Sequence, residues 1–95
     1  MPNKKDAMID VMSEYLTKSD IYASRAIAKI SALVIKYRHN AGMTQEEFAN
    51  MMNATPDEIS KWESANYNFT FEEIAEICER LGCAFDIEIG VNESN

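Results

Sequence analysis

The chain has 95 residues, 46% of them hydrophobic, and a formal net charge of −7 at pH 7. That length suits one domain, leaves little room for a second and is not expected to build a deep substrate cleft. The acid surplus argues at first sight against a nucleic-acid binder, whose phosphate contacts fall to Lys and Arg; no apolar run reaches the ~20 residues of a membrane span, and the start of the chain has no signal-peptide core.

In chain order, Met8, Val11, Met12, Tyr15 and Leu16 recur at helical spacing and predict a first helix that ends before Thr17–Ser19. Ser19 is the expected cap of a second, longer helix with an apolar stripe of Ala23, Ala26, Ile27, Ile30, Leu33, Val34 and Tyr37. It stops at Asn40-Ala41-Gly42, where glycine supplies the left-handed residue of a helix end. Three capping boxes follow. Thr44 with Glu47 opens a helix that turns Phe48, Ala49 and Met52 inward. Thr55 with Glu58, and Pro56 at the favoured first position, opens another that carries Ile59 and Trp62. Thr70 with Glu73 opens a third, which carries Ile74, Cys78 and Leu81 to a stop at Gly82. In each box the Thr hydroxyl accepts from the N–H three residues on, and the Glu reaches back to the Thr N–H. Between the first two boxes Asn53 tolerates the positive φ that a tight helix-to-helix step requires, so this pair reads as a helix-turn-helix.

The tail changes period. Phe85, Ile87 and Ile89 alternate with Asp86 and Glu88, the pattern of a strand with one buried face. No second strand signal exists, so the expected partner is the same strand of a second copy or an edge strand of another protein.

Charge is divided between the halves. Residues 1–38 hold seven cations against four acids, a net +3, whereas residues 39–95 hold two cations against twelve acids, a net −10. Such an asymmetry reflects partners or pairing between the halves. Much of the acid opens helices, where it suits the positive end of the helix dipole. Arg25, Lys29 and Lys36 fall near one helical face that can track phosphate, grip an acidic partner or simply be solvated. His39 is the only histidine, and Cys78 and Cys83 have no further ligand cluster beside them. The chain is therefore expected to be no enzyme and to hold no metal or cofactor. A bridge between the two cysteines closes a loop too short to add stability, so a reducing cytoplasm is the expected setting.

The run from Arg38 through Gly42, Thr44, Gln45 and Ala49, then Asn53-Ala54-Thr55, then Ile59-Ser60-Lys61-Trp62-Glu63, resembles the phage repressor and Cro (XRE) helix-turn-helix family. The resemblance covers Leu33 to about Leu81. With its long N-terminal helical extension and C-terminal strand, the chain is also similar to antitoxins of the HigA kind, which bind DNA as dimers and repress their own operon. The implied fold is all-α: a five-helix repressor-like chain with an N-terminal helical extension at 1–31, the helix-turn-helix domain at 32–82, and at 83–95 a tail whose strand (Phe85, Ile87, Ile89) pairs across a homodimer.

The resemblance assigns roles residue by residue. Thr44 and Gln45 start the first motif helix, and Gln45 contacts the DNA backbone and braces the recognition helix. Thr55 caps the recognition helix and offers a hydroxyl or N–H to phosphate. Pro56, Asp57, Glu58 and Lys61 face base edges in the major groove. Asn66 and Asn68 follow in a phosphate-contacting loop, and Arg38 with Glu63 forms a structural ion pair. Three departures stand out. Pro56 donates no N–H, Asp57 and Glu58 bring negative charge to the reading end, and Ala65 stands where the family usually has glycine, which implies a reshaped turn after Ser64.

Two functions follow from different classes. One is a repressor that binds an operator in double-stranded DNA, with a toxin protein as further partner. The other is an acidic interaction module that masks a basic partner and binds little or no DNA.

Overall fold

The computed structural model describes residues 17–91. The helix predicted from Met8 to Leu16 lies outside the described residues. Among them the chain forms four helices: α1 (Lys18–Asn40), α2 (Gln45–Met52), α3 (Pro56–Glu63) and α4 (Phe71–Leu81). The class is all-α, with four described helices where five were expected.

Every helix opens on a reciprocal capping box. The three predicted ones close with bonds of 2.9–3.3 Å between Thr44 and Glu47, Thr55 and Glu58, and Thr70 and Glu73. The fourth corrects the expected start of α1. Thr17, not Ser19, is the cap, because Asp20 stands three residues on and returns the bond to the Thr17 N–H at 3.0 Å. From Ser19 the third residue is Tyr22, which carries no carboxylate to return.

The helix ends follow the expected chemistry. Gly42 (φ 67°), Asn53 (φ 53°) and Gly82 (φ 71°) take the left-handed step that turns the chain off α1, α2 and α4. Ala65, at φ 59°, also takes it after α3. The turn after Ser64 thus retains a left-handed residue, and the strain rests on the alanine Cβ instead.

Val34, Phe48, Ala49, Met52, Ile59, Trp62, Ile77 and Leu81 form one core. Each large member contributes about 2 kcal/mol by leaving water. Tyr37 leans on Phe48 with ring centroids 6.0 Å apart. On α4 the residue of the inward face that the sequence reading omitted is Ile77, which is buried, while Ile74 is only half-buried. The apolar stripe of α1 is also shorter than predicted. No residue of α1 before Ser31 is buried, Ala23 and Ala26 are exposed, and Ile27 and Ile30 are half-buried. The other described helices meet only the C-terminal half of this 23-residue helix, so periodicity continued beyond the surface available to bury it. α1 crosses the expected boundary between 31 and 32 without a break.

The predicted C-terminal strand is absent among the described residues. Residues 83–91 have no regular structure, and Phe85, Ile87 and Ile89 are 41%, 55% and 86% exposed. The physical reason is the one the sequence contains: a strand needs a second strand to satisfy its backbone, and the described residues offer none.

Candidate nucleic-acid interface

α2 and α3 share Met52, Ile59 and Trp62 in the core and are joined through Asn53-Ala54-Thr55. α3 turns Ile59 and Trp62 inward and leaves Pro56, Asp57, Glu58, Ser60 and Lys61 exposed. Three side-chain links fix its position. Arg38 on α1 reaches Glu63 with Nε 2.6 Å from Oε2 and Nη2 3.0 Å from Oε1. Gln45 donates to Glu63 Oε1 at 3.2 Å and accepts from Ser60 Oγ at 3.2 Å, so its amide ties the start of α2 to two turns of α3. The buried Ser31 donates to the Trp62 carbonyl at 2.6 Å and accepts from the Ala65 N–H at 3.2 Å.

Charge follows these bonds. Burial by itself pushes the Glu63 carboxyl up, but hydrogen bonds from Arg38 and Gln45 and the Arg38 charge outweigh it and hold the group below the usual carboxylate range. The Glu63 bond raises the Arg38 guanidinium in turn. Among the described residues this is the one salt bridge, so pairing between the basic front and the acidic back is confined to it. Arg25, Lys29, Lys36 and Lys61 are all exposed.

The first turn of α3 is more occupied than its sequence suggests. Glu58 Oε1 accepts from both the N–H and the hydroxyl of Thr55, each at 3.3 Å, and the Glu58 N–H goes back to Thr55 Oγ1 at 3.2 Å. Pro56 has no N–H. The amide of Asp57, beside its own exposed carboxylate, is what remains for an anion. At α2 the Thr44 N–H and hydroxyl are likewise engaged by Glu47, but the first-turn amides of Gln45 and Glu46 carry no such partner. Asn66 and Asn68 are exposed in the loop after α3, and the Asn66 N–H bonds Ser64 Oγ at 3.2 Å. Between them Tyr67 donates to Glu73 at 2.6 Å and meets Phe69 edge-on at 4.9 Å, which anchors the loop to α4.

Two residues of this arrangement were missed by sequence reasoning. Ser60 sits within the motif but announces no contact of its own. Ser31 left a signal, a small polar residue on the apolar side of α1 between Ile27 and Val34.

A short helix braced from beneath, joined to its predecessor by a left-handed Asn, and bare on its outer face defines a helix-turn-helix protein. A family model described as helix-turn-helix matches residues 34–87, more than half of the chain. The chain belongs to this XRE-type family, a family of DNA-binding transcription regulators. No curated protein and no solved structure matched the chain. Among the described residues no helix is long and apolar enough to cross a membrane.

Proposed function

We propose that the protein is a dimeric, sequence-specific repressor of its own operon, of the antitoxin kind. The observation that carries this reading is the pose of α3, with Ile59 and Trp62 buried, Arg38, Gln45 and Ser31 holding its far end, and Asp57, Ser60 and Lys61 exposed. In this reading Lys61 donates to guanine or phosphate, and the α2 amides with Asn66 and Asn68 meet the backbone. Thr55 and Glu58 then serve the helix cap before they serve DNA. Two copies place their α3 helices in successive major grooves about 34 Å apart. The exposed alternation Phe85, Ile87 and Ile89 is the surface a second copy covers, and it becomes a strand only on pairing.

The test is fluorescence anisotropy with the protein's own promoter fragment against a scrambled duplex. Specific binding with a shallow salt dependence is expected, since few cations are available per subunit. Absence of specific binding at low salt with about 10 µM protein, about three orders of magnitude above the weakest typical specific Kd, would sink the reading. Ile87→Asp, measured by sedimentation, is expected to yield a monomer with weakened operator binding.

One observation favours the second reading, an acidic module that masks a basic partner. The exposed first turn of α3 carries two carboxylates and no cation. Co-purification with the product of the neighbouring gene, in the absence of any DNA binding, would select it.

A further inference from the structure

We propose that Cys78 and Cys83 form a peroxide-responsive dithiol, closed by oxidation into a disulfide across the end of α4. The geometry comes from how this helix stops. Gly82 donates to the Glu79 carbonyl at 3.2 Å, and Cys83 donates to the Cys78 carbonyl at 2.8 Å. That bond pair is a Schellman closure, which folds the second residue past the helix back onto the residue five before it, an arrangement in which the two side chains frequently meet. With standard backbone bond lengths, the 2.8 Å bond limits the two Cα atoms to about 6.7 Å, within the span a disulfide accepts.

The same closure ends α1 and α2, where Met43 returns to Arg38 and Ala54 to Ala49. Neither pair holds a thiol; only at α4 do both positions carry one. Both cysteines are free, Cys78 buried and Cys83 half-buried. The Cys83 sulfur lies 3.9 Å from the Leu81 carbonyl, turned back toward the helix and not out along the tail. Burial pushes the Cys78 thiol up, which suits a resolving thiol more than a first attacker.

The chemistry balances with hydrogen peroxide as the oxidant. The Cys83 thiolate attacks one peroxide oxygen, the O–O bond breaks, and hydroxide leaves and is protonated to water, so Cys83 becomes a sulfenic acid. Cys78 then gives up its proton and attacks the Cys83 sulfur, which forms the S–S bond and expels the hydroxyl group as a second water. Two electrons pass from the sulfur pair to peroxide. A ring this small adds little loop entropy, so the bridge is not a stability device. Its place is the junction where the segment bearing Phe85, Ile87 and Ile89 leaves the folded part.

The full-length reduced protein is to be treated with hydrogen peroxide and digested with trypsin without reductant. Cleavage after Arg80 separates the two cysteines, so a bridge joins the Trp62–Arg80 peptide to Leu81–Asn95, lighter by two hydrogens than their sum. Loss of both thiols together, with recovery by dithiothreitol, is the expected result. Cys83→Ser, a near-isosteric change at a half-buried site, is expected to abolish the link and leave Cys78 reduced. Survival of both thiols, oxidation of Cys83 alone, or a Cys83–Cys83 link between copies would each overturn the proposal.

Discussion

Ser31 on α1 gives its hydroxyl proton to the carbonyl of Trp62 at 2.6 Å, across thirty-one residues of sequence. The same oxygen takes the N–H of Ala65 at 3.2 Å. One buried hydroxyl thus satisfies a carbonyl at the end of α3 and the amide of the strained residue beyond it. Ser31→Ala leaves both unpaired. It is expected to cost about 2 kcal/mol, the usual penalty for orphaned buried polar groups, and to lower Tm by about 10 °C. Thermal melts followed by circular dichroism read this directly, and an unchanged Tm would mean that water replaces the hydroxyl.

The Arg38–Glu63 pair makes stability depend on pH. The Glu63 carboxyl is held below its ordinary value of 4.5 in the folded chain, so the pair stabilises above that value and the contribution is lost as pH falls through the folded value. Glu47 and Glu73 are lowered as well and share the acid limb. The informative quantity is therefore the difference between wild type and Arg38→Met. The variant strands a mostly buried carboxylate and is expected to be less stable by about 2 kcal/mol at pH 7. The gap should shrink as both proteins are taken below pH 4. Urea unfolding across that range decides it, and parallel curves would show that the pair carries no pH dependence.

The parts of the fold that were legible are those written in local chemistry. Thr and Glu three apart set the starts of α2, α3 and α4, and Asn53 and Gly82 set two ends. What depended on distant surfaces was not. Ser31 has its partners thirty-one and thirty-four residues away, so nothing near it announces the bonds. Ala23 and Ala26 repeat at helical spacing but meet no buried face, because period records which residues can share a face and not how far the neighbouring helices reach. Phe85, Ile87 and Ile89 have the right alternation, yet a ladder exists only between two strands. At the site, the family resemblance pointed to the Arg38–Glu63 ion pair, whereas spacing alone left open how Thr55 and Glu58 bond to each other across the cap.

Ala65 bears a cost that glycine would not. Its φ of 59° places the Cβ against the following carbonyl, worth roughly 1–2 kcal/mol for an alanine. Part of the relief is offset by the greater freedom of glycine in the unfolded chain. Ala65→Gly is expected to stabilise the protein by about 0.5–1 kcal/mol and to raise Tm by about 4 °C, with the Ser31 bond to its N–H retained. A destabilised variant would contradict the left-handed conformation at this position.

At the reading face Asp57 and Lys61 are expected to move DNA binding in opposite directions. Asp57 is exposed in the first turn of α3, where a nearby phosphate would meet like charge. A unit charge about 4 Å away in water is worth about 1 kcal/mol, so Asp57→Asn should tighten operator and scrambled DNA alike by about five-fold. If Asp57 instead accepts from a cytosine amino group, the variant weakens the operator and leaves scrambled DNA unmoved, since amino-group acceptance is a sequence contact. Lys61→Gln separates the same alternatives for a cation. Loss of a guanine contact costs about 1–3 kcal/mol on the operator alone, whereas loss of a phosphate contact weakens every duplex and lowers the salt slope by about 1. Anisotropy titrations of both variants on both duplexes at several salt concentrations give the four numbers that decide it. A null result for both residues would place the DNA-reading surface elsewhere or nowhere, and would favour the acidic module over the repressor.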